Sequence, residues 1–383
     1  MLPSTAEVVI IGGGVIGASI AYYLTTMGCR NVVVIERDLL ASGSTARAAG
    51  GIRQQFSTEV NIQLSRHSVP VYERFAEEFG QPVDFHQVGY LFLLTDPALM
   101  PQFEASVALQ QRLGVPVEFL TPAQAGALVP QLNLADVLSA TFCPTDGYAD
   151  PYSATQGFAA RARAQGAVFV EQTEVRSIEV ERGRIVGVGA SGGAVATEKV
   201  IIAAGAWSAE AGALAGVRIP VEPYQQHAFV TDPFTDLPPD PPLTVDFASG
   251  LYFRREGPGV LVGMSNKDET PGFKTDVNWP FLEHVVEAAV HRVPGLRSAA
   301  VLRAWSGFYE VTPDHHPIIG PVPGVAGLYC CAGFSGHGFM HAPAAGMVMA
   351  EIILQGQATT LDVSALDISR FQAGHMVEER AVI

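Results

Sequence analysis

Charge is sparse in this chain: only 16% of its 383 residues are Asp, Glu, Lys or Arg. Positive charge is the scarcer kind, 23 Lys and Arg against 38 Asp and Glu, and the net charge of −15 argues against nucleic acid as a partner. Cysteine is scarce as well. Cys29, Cys143, Cys330 and Cys331 show no C-x-x-C spacing, so nothing points to a disulfide framework or a thiolate metal site. No apolar run is long enough to span a bilayer, which predicts no membrane insertion. The start MLPSTAEVVIIGGG has neither a basic n-region nor a transit-like Arg/Ser segment, so a cytoplasmic location is expected. There are no internal repeats. Against these absences stand 48% hydrophobic residues, enough for large cores, in a length that predicts two intimately packed domains.

The first forty residues read strand, glycine turn, helix, strand. EVVIIGGG closes on Gly12, Gly14, Val15, Ile16 and Gly17; ASIAYYLTTMG follows at helical spacing, then NVVVIER. Gly12-x-Gly14-x-x-Gly17 therefore lies in the strand–turn–helix context that gives the pattern meaning. Gly12 permits the tight turn, Gly14 lets the backbone approach a pyrophosphate, and Gly17 lets helix and strand pack closely. Glu36 ends the second strand, with Arg37 beside it, where a carboxylate accepts hydrogen bonds from ribose hydroxyls and disfavours a 2′-phosphate. The motif alone does not separate NAD from FAD.

Two later stretches do. VIIAAGAWS (Ala204, Gly205, Trp207) resembles the strand-and-glycine segment with which FAD proteins bring the chain back beside the dinucleotide. Then YCCAGFSGHGFMHAPAAG supplies a strand, a glycine loop and a helix. A flavin protein needs such a second helix N-terminus for the pyrimidine end of its ring, where negative charge develops on reduction.

These residues resemble the D-amino-acid-oxidase-like flavoenzyme superfamily, in the branch of sarcosine oxidases and proline dehydrogenase β subunits. The resemblance runs through IIGGGVIGASIAYYL, SGSTARAAGGIRQQFSTE, GYLFLL, PTDGYADP, TEV, EPYQQH, WSGFYEVTPDHHPIIG and AGFSGHGFMHAPAAG, nearly the whole chain. It implies an α/β fold, α+β overall: a glutathione-reductase-like FAD-binding domain with a parallel sheet, plus a mixed-sheet substrate domain over the flavin. The expected FAD-binding segments are 1–82, 143–218 and 302–383, with 83–142 and 219–301 forming the substrate domain. Ser44, Thr45 and Arg47 would serve the pyrophosphate, and Gly50, Gly51 and Ile52 would pass along the flavin. Val175 and Gly307 complete its surroundings. Gly333, Ser335, Gly336, His337, Gly338, Phe339 and Met340 would wrap the ring, His337 being read chiefly as structural. Arg53 would pair with the substrate carboxylate, Tyr309 would line the substrate cavity, and Tyr252 is added from the covering domain.

Departures from the family pattern carry information too. Gly307 stands where monomeric relatives have a cysteine that tethers FAD, so FAD should be non-covalent. Met340 replaces a lysine that serves as a second carboxylate ligand, and Leu261 stands in place of an oxygen-activating lysine; Lys267 could compensate only if its loop turns back. The resemblance implies oxidation of a small secondary amino acid, sarcosine or another N-methyl amino acid or L-proline, to the imine by hydride transfer to the flavin. Dioxygen as acceptor, in a sarcosine-oxidase-like enzyme, is the first expectation. The alternative is a proline-dehydrogenase-type β subunit passing electrons to a quinone, a dye or a partner subunit in a hetero-oligomer; a non-catalytic FAD-binding assembly factor is the third.

Overall fold

The computed structural model describes residues 2–382; residues 1 and 383, the outer bounds of the expected FAD-binding segments, lie outside them. The first strand, Val8–Ile11, is buried on both faces, as a near-continuous β-branched run requires. Val8 and Ile10 join one core, Val9 and Ile11 another. Around it lies a six-stranded sheet in the order Ile318–Pro321, Leu328–Ala332, Val200–Ile202, Val8–Ile11, Val32–Ile35 and Val168–Val170. All neighbours are parallel except the first pair.

Helices Val15–Thr26, Glu59–Glu73, Pro151–Ala164 and Gly338–Gln355 cover one face of this sheet. The other face packs on the antiparallel ribbon Val175–Glu181, Arg184–Ala190 and Gly193–Ala196. Two of the helices touch almost backbone to backbone. A Cβ on Gly346 would lie 2.2 Å from Ser19 Oγ, and that hydroxyl donates to the Ala342 carbonyl at 2.8 Å. This contact places the starts of Val15–Thr26 and Gly338–Gln355 side by side.

A second, eight-stranded mixed sheet runs Val301–Val311, Glu222–Thr231, Gly259–Met264, Leu251–Glu256, Leu243–Asp246, Tyr90–Leu94, Ser139–Cys143 and Glu118–Leu120. One face buries Leu91, Leu93, Phe229, Phe253 and Val262 against helix Trp279–Arg292. The other face turns Tyr252 and Ala228 towards the glycine turns of the first sheet. The proline-rich stretch 232–242 is a loop, and all four cysteines are buried and free. Among the described residues no helix is long and apolar enough to cross a membrane.

Candidate flavin and substrate site

Between the two sheets opens a cavity of about 960 Å³, at the upper end of the roughly 300–1,000 Å³ common for ligand sites. Both adjacent helix starts face it, and neither has a side-chain cap or an acid in its first turn. The first N–H groups of a helix need acceptors and carry positive potential, so two such ends without an N-cap side chain on one cavity suit an anionic, extended ligand.

The dinucleotide end is built from backbone that tolerates no side chain. Gly12 has φ +112°, and a Cβ there would lie 2.3 Å from the Ala203 carbonyl oxygen; one on Gly17 would lie 2.0 Å from that of Gly12. The Glu36 carboxylate accepts the Gly13 N–H at 2.7 Å and the Asp38 N–H at 2.8 Å, which fixes its orientation at the cavity wall. Val15 N–H donates to Thr45 Oγ1 at 3.1 Å, while Ser44 Oγ is buried with no partner. Arg37 lies 4.6 Å over the Trp207 ring, which stacks on Phe273.

At the other end three tyrosines form walls: Tyr90, Tyr252 and Tyr309. Glycines make room for two of them. A Cβ on Gly263, paired with Tyr252 across the sheet, would lie 2.2 Å from its ring, and one on Gly336 would lie 2.8 Å from the Tyr309 ring. Burial pushes all three phenols up, so they stay neutral donors. Arg53 stands behind this wall, fully buried, its guanidinium carbon 3.9 Å from the Phe56 ring centroid. It makes no ion pair among the described residues; its acceptors are the carbonyls of Gln55 and Ala381 and His337 Nε2.

Glu310 is an unforeseen carboxylate in the wall. Its Oε1 accepts the Phe334 N–H at 3.4 Å, and its Oε2 is buried without a partner. Burial raises its pKa from 4.5 to about 7, only partly offset by the N–H groups of Gly333 and Phe334. The folded state then holds a proton that the unfolded chain releases earlier, so stability falls as pH rises through this window. The Glu310→Gln apoprotein should therefore melt above the native apoprotein at pH 8, with the gap closing towards pH 5. An equal gap at both values would remove Glu310 as a titrating group.

Most of the anticipated residues converge on the cavity: Gly12, Gly14, Val15, Ile16, Glu36, Arg37, Ser44, Thr45, Arg47, Gly50, Gly51, Val175, Ala204, Gly205, Trp207, Tyr252, Gly307, Tyr309, Gly336, Gly338, Phe339 and Met340 line it. Gly17, Ile52, Arg53, Gly333, Ser335 and His337 lie outside that lining. Gly17 packs against Gly12, and Ser335 (φ +52°) holds the loop turn, its Oγ accepting the Thr312 N–H at 3.3 Å. Tyr90, Gln226, His227 and Glu310 also line the cavity but were not singled out. All four lie on strands of the second sheet, within GYLFLL, EPYQQH and SGFYEVTP, and alternation does not single them out, since the adjacent Gln226 and His227 both line the cavity.

The family model described as "DAO: FAD dependent oxidoreductase" matches residues 7–352. The chain belongs to this family. Among its relatives, it is 32% identical to mouse mitochondrial dimethylglycine dehydrogenase and 30% identical to human mitochondrial sarcosine dehydrogenase, over 96% and 97% of this chain. It spans only 44% and 42% of those two proteins' lengths. The crystal structure of L-proline dehydrogenase from P. horikoshii superposes with a TM-score of 0.92 at 38% identity, covering 98% of this chain and 100% of that one. As a DAO-family oxidoreductase the protein uses FAD, and its cavity fits that cofactor. Two helix starts without an N-cap side chain face the cavity, Glu36 is held at its wall by two backbone N–H groups, and the buried Ser44 Oγ and Glu310 Oε2 have no partner. Gly307 has no side chain to serve as a flavin tether at that position, and a Cβ there would lie 2.9 Å from the Arg47 side chain.

Proposed function

We propose that the protein oxidises a small N-methylated or cyclic amino acid, sarcosine, dimethylglycine or L-proline, and passes the electrons to an acceptor other than dioxygen. The observation that carries this reading is the cavity end walled by Tyr90, Tyr252 and Tyr309, with one buried cation behind it and no lysine in its lining. The names of the relatives support the substrate class. Bound FAD supplies the two-electron acceptor.

The chain's own residues bind, orient and exclude water. The phenols offer neutral hydrogen bonds and apolar faces around a secondary amine. Arg53, which has no carboxylate in direct contact, attracts that of the substrate and disfavours an ammonium, favouring the neutral amine from which a hydride can leave. Fixed charge is missing where oxygen chemistry would want it. Lys267 donates to the Ala248 carbonyl at 3.1 Å on the surface, and Leu261 is buried in an apolar cluster with Ala228 and Val230. Reduction of dioxygen passes through superoxide, which a nearby cation stabilises. The only cations lining the cavity, among the described residues, are Arg37 and Arg47 of the dinucleotide end.

Anaerobic titration of the holoprotein with sarcosine, dimethylglycine, L-proline and glycine tests both parts. Bleaching of the flavin by at least one N-substituted amine, slow recolouring in air and fast recolouring with an artificial dye are expected. Rapid recolouring with peroxide would instead make the protein an oxidase. Bleaching by none of the four would remove the substrate assignment.

A further inference from the structure

Arg53 is held from a direction that the sequence gives no hint of: the chain's far end. Its Nη2 donates to the Ala381 carbonyl at 2.5 Å and to His337 Nε2 at 3.0 Å. A guanidinium has only donors, so Nε2 of His337 is the acceptor, and the neutral ring carries its proton on Nδ1. That ring is neutral because burial and the charge of Arg53 press its pKa well down. His337 belongs to the glycine loop that opens helix Gly338–Gln355, so a single guanidinium bridges this loop and residues 379–381.

Glu379 anchors those residues. It is fully buried, and its carboxylate accepts the Ser57 N–H at 2.8 Å, Ser57 Oγ–H at 2.5 Å, Thr58 Oγ1–H at 2.7 Å, Asn61 Nδ2–H at 3.0 Å and its own strap's Ala381 N–H at 2.9 Å. Ser57 and Thr58 stand at the start of helix Glu59–Glu73, where an anion is favoured. Burial alone would raise this carboxyl; these hydrogen bonds outweigh it and keep it ionised. Glu379 is therefore a countercharge for the otherwise unpaired Arg53, acting through space.

We infer that residues 379–381 form a strap that is a working part of the flavin site, and that Glu379 is a positioning residue: it seats Ala381 on Arg53, which fixes the orientation and tautomer of His337 in the cofactor loop. The inference rests on the reading that this loop holds the flavin. Glu379→Gln tests it. An amide accepts through one oxygen only and points an NH2 at donors it cannot serve, so the strap should loosen without a change of shape. Two readouts apply: the Kd of the apoprotein for FAD, and the ring ¹⁵N shifts of His337 in the apoprotein, which report its tautomer.

Glu379→Gln should weaken FAD about tenfold and convert the single His337 Nδ1–H tautomer into a mixture. A chain ending at Glu379 should do the same, while Glu378→Gln, at an exposed position, should change neither. Unchanged FAD affinity in both altered chains overturns the inference, even if the tautomer moves. So does an unchanged tautomer. If the native apoprotein takes up no FAD, the flavin reading fails, and an unaltered tautomer in the two chains would then show separately that the strap does not act on His337.

Discussion

The Gly12→Ala protein should purify without colour. The added Cβ would sit 2.3 Å from the Ala203 carbonyl oxygen, 2.8 Å from its carbon and 3.0 Å from Ala204 Cα, all backbone of the neighbouring strand and turn. Nothing there can swing aside as a side chain would. The conformation adds to the cost: at φ +112° an alanine is strained by about 1–2 kcal/mol. Because the turn that must shift is the one approaching the pyrophosphate, FAD affinity should fall at least about a hundredfold, about 2.8 kcal/mol. Gly28→Ala separates the two causes, since Gly28 has φ +99° but no heavy atom within 4 Å of its Cβ position. That variant should melt lower and bind FAD as the native chain does. A yellow Gly12→Ala protein with native affinity would mean that the glycine turn is not the cofactor's seat.

The same turn illustrates what can be read from a sequence. Gly12, Gly14 and Gly17 are recognisable because their constraints are local: a positive φ at Gly12, and a helix start within six residues of a strand. The loop at 333–339 is legible for the same reason. Tyr309 and Tyr252 were found through motif resemblance, and the geometry adds why they fit, since each needs a glycine opposite it.

The remainder was hidden by distance along the chain. Nothing local marks Glu379 as the anchor of Arg53, because the bridge from Arg53 to Ala381 joins residues 328 apart. The tail MVEERAVI has no periodicity, and its meaning comes only from the donors gathered at Ser57, Thr58 and Asn61. Glu310 escaped notice for another reason. Strand alternation puts it opposite Tyr309, yet residues 307 to 310 all line the cavity because that strand borders it. A rule that assigns one face to the site and the other to the core fails where a strand forms the rim.

The largest loss of stability should come from Arg292→Met, far from the flavin in sequence but structurally tied to the substrate wall. Arg292 ends the helix that covers the eight-stranded sheet, and its side chain is fully buried. Its Nη2 lies 2.7 Å from Asp246 Oδ2 and its Nη1 lies 2.9 Å from Asp136 Oδ1, with a further hydrogen bond to the Asn133 carbonyl. Asp246 closes the strand whose neighbour carries Tyr252, paired with Val245. Methionine fills the volume but leaves the nearly buried Asp246 carboxylate without its cation, which costs about 3–5 kcal/mol. Asp136→Asn should cost far less, because that side chain is 43% exposed and solvent screens the pair. The pH dependence isolates the part contributed by the Arg292–Asp136 pair. Burial raises the Asp136 carboxyl, but hydrogen bonds and charge from Arg292 outweigh it and bring its pKa from 3.8 to about 2. A depressed carboxyl contributes stability above its unfolded value and loses it as pH falls through the folded one. The advantage of the native chain over Arg292→Met should thus shrink between pH 4 and pH 2. A gap that stays constant across this range would show that the Arg292–Asp136 pair adds nothing, leaving the loss to the Asp246 pair and to packing.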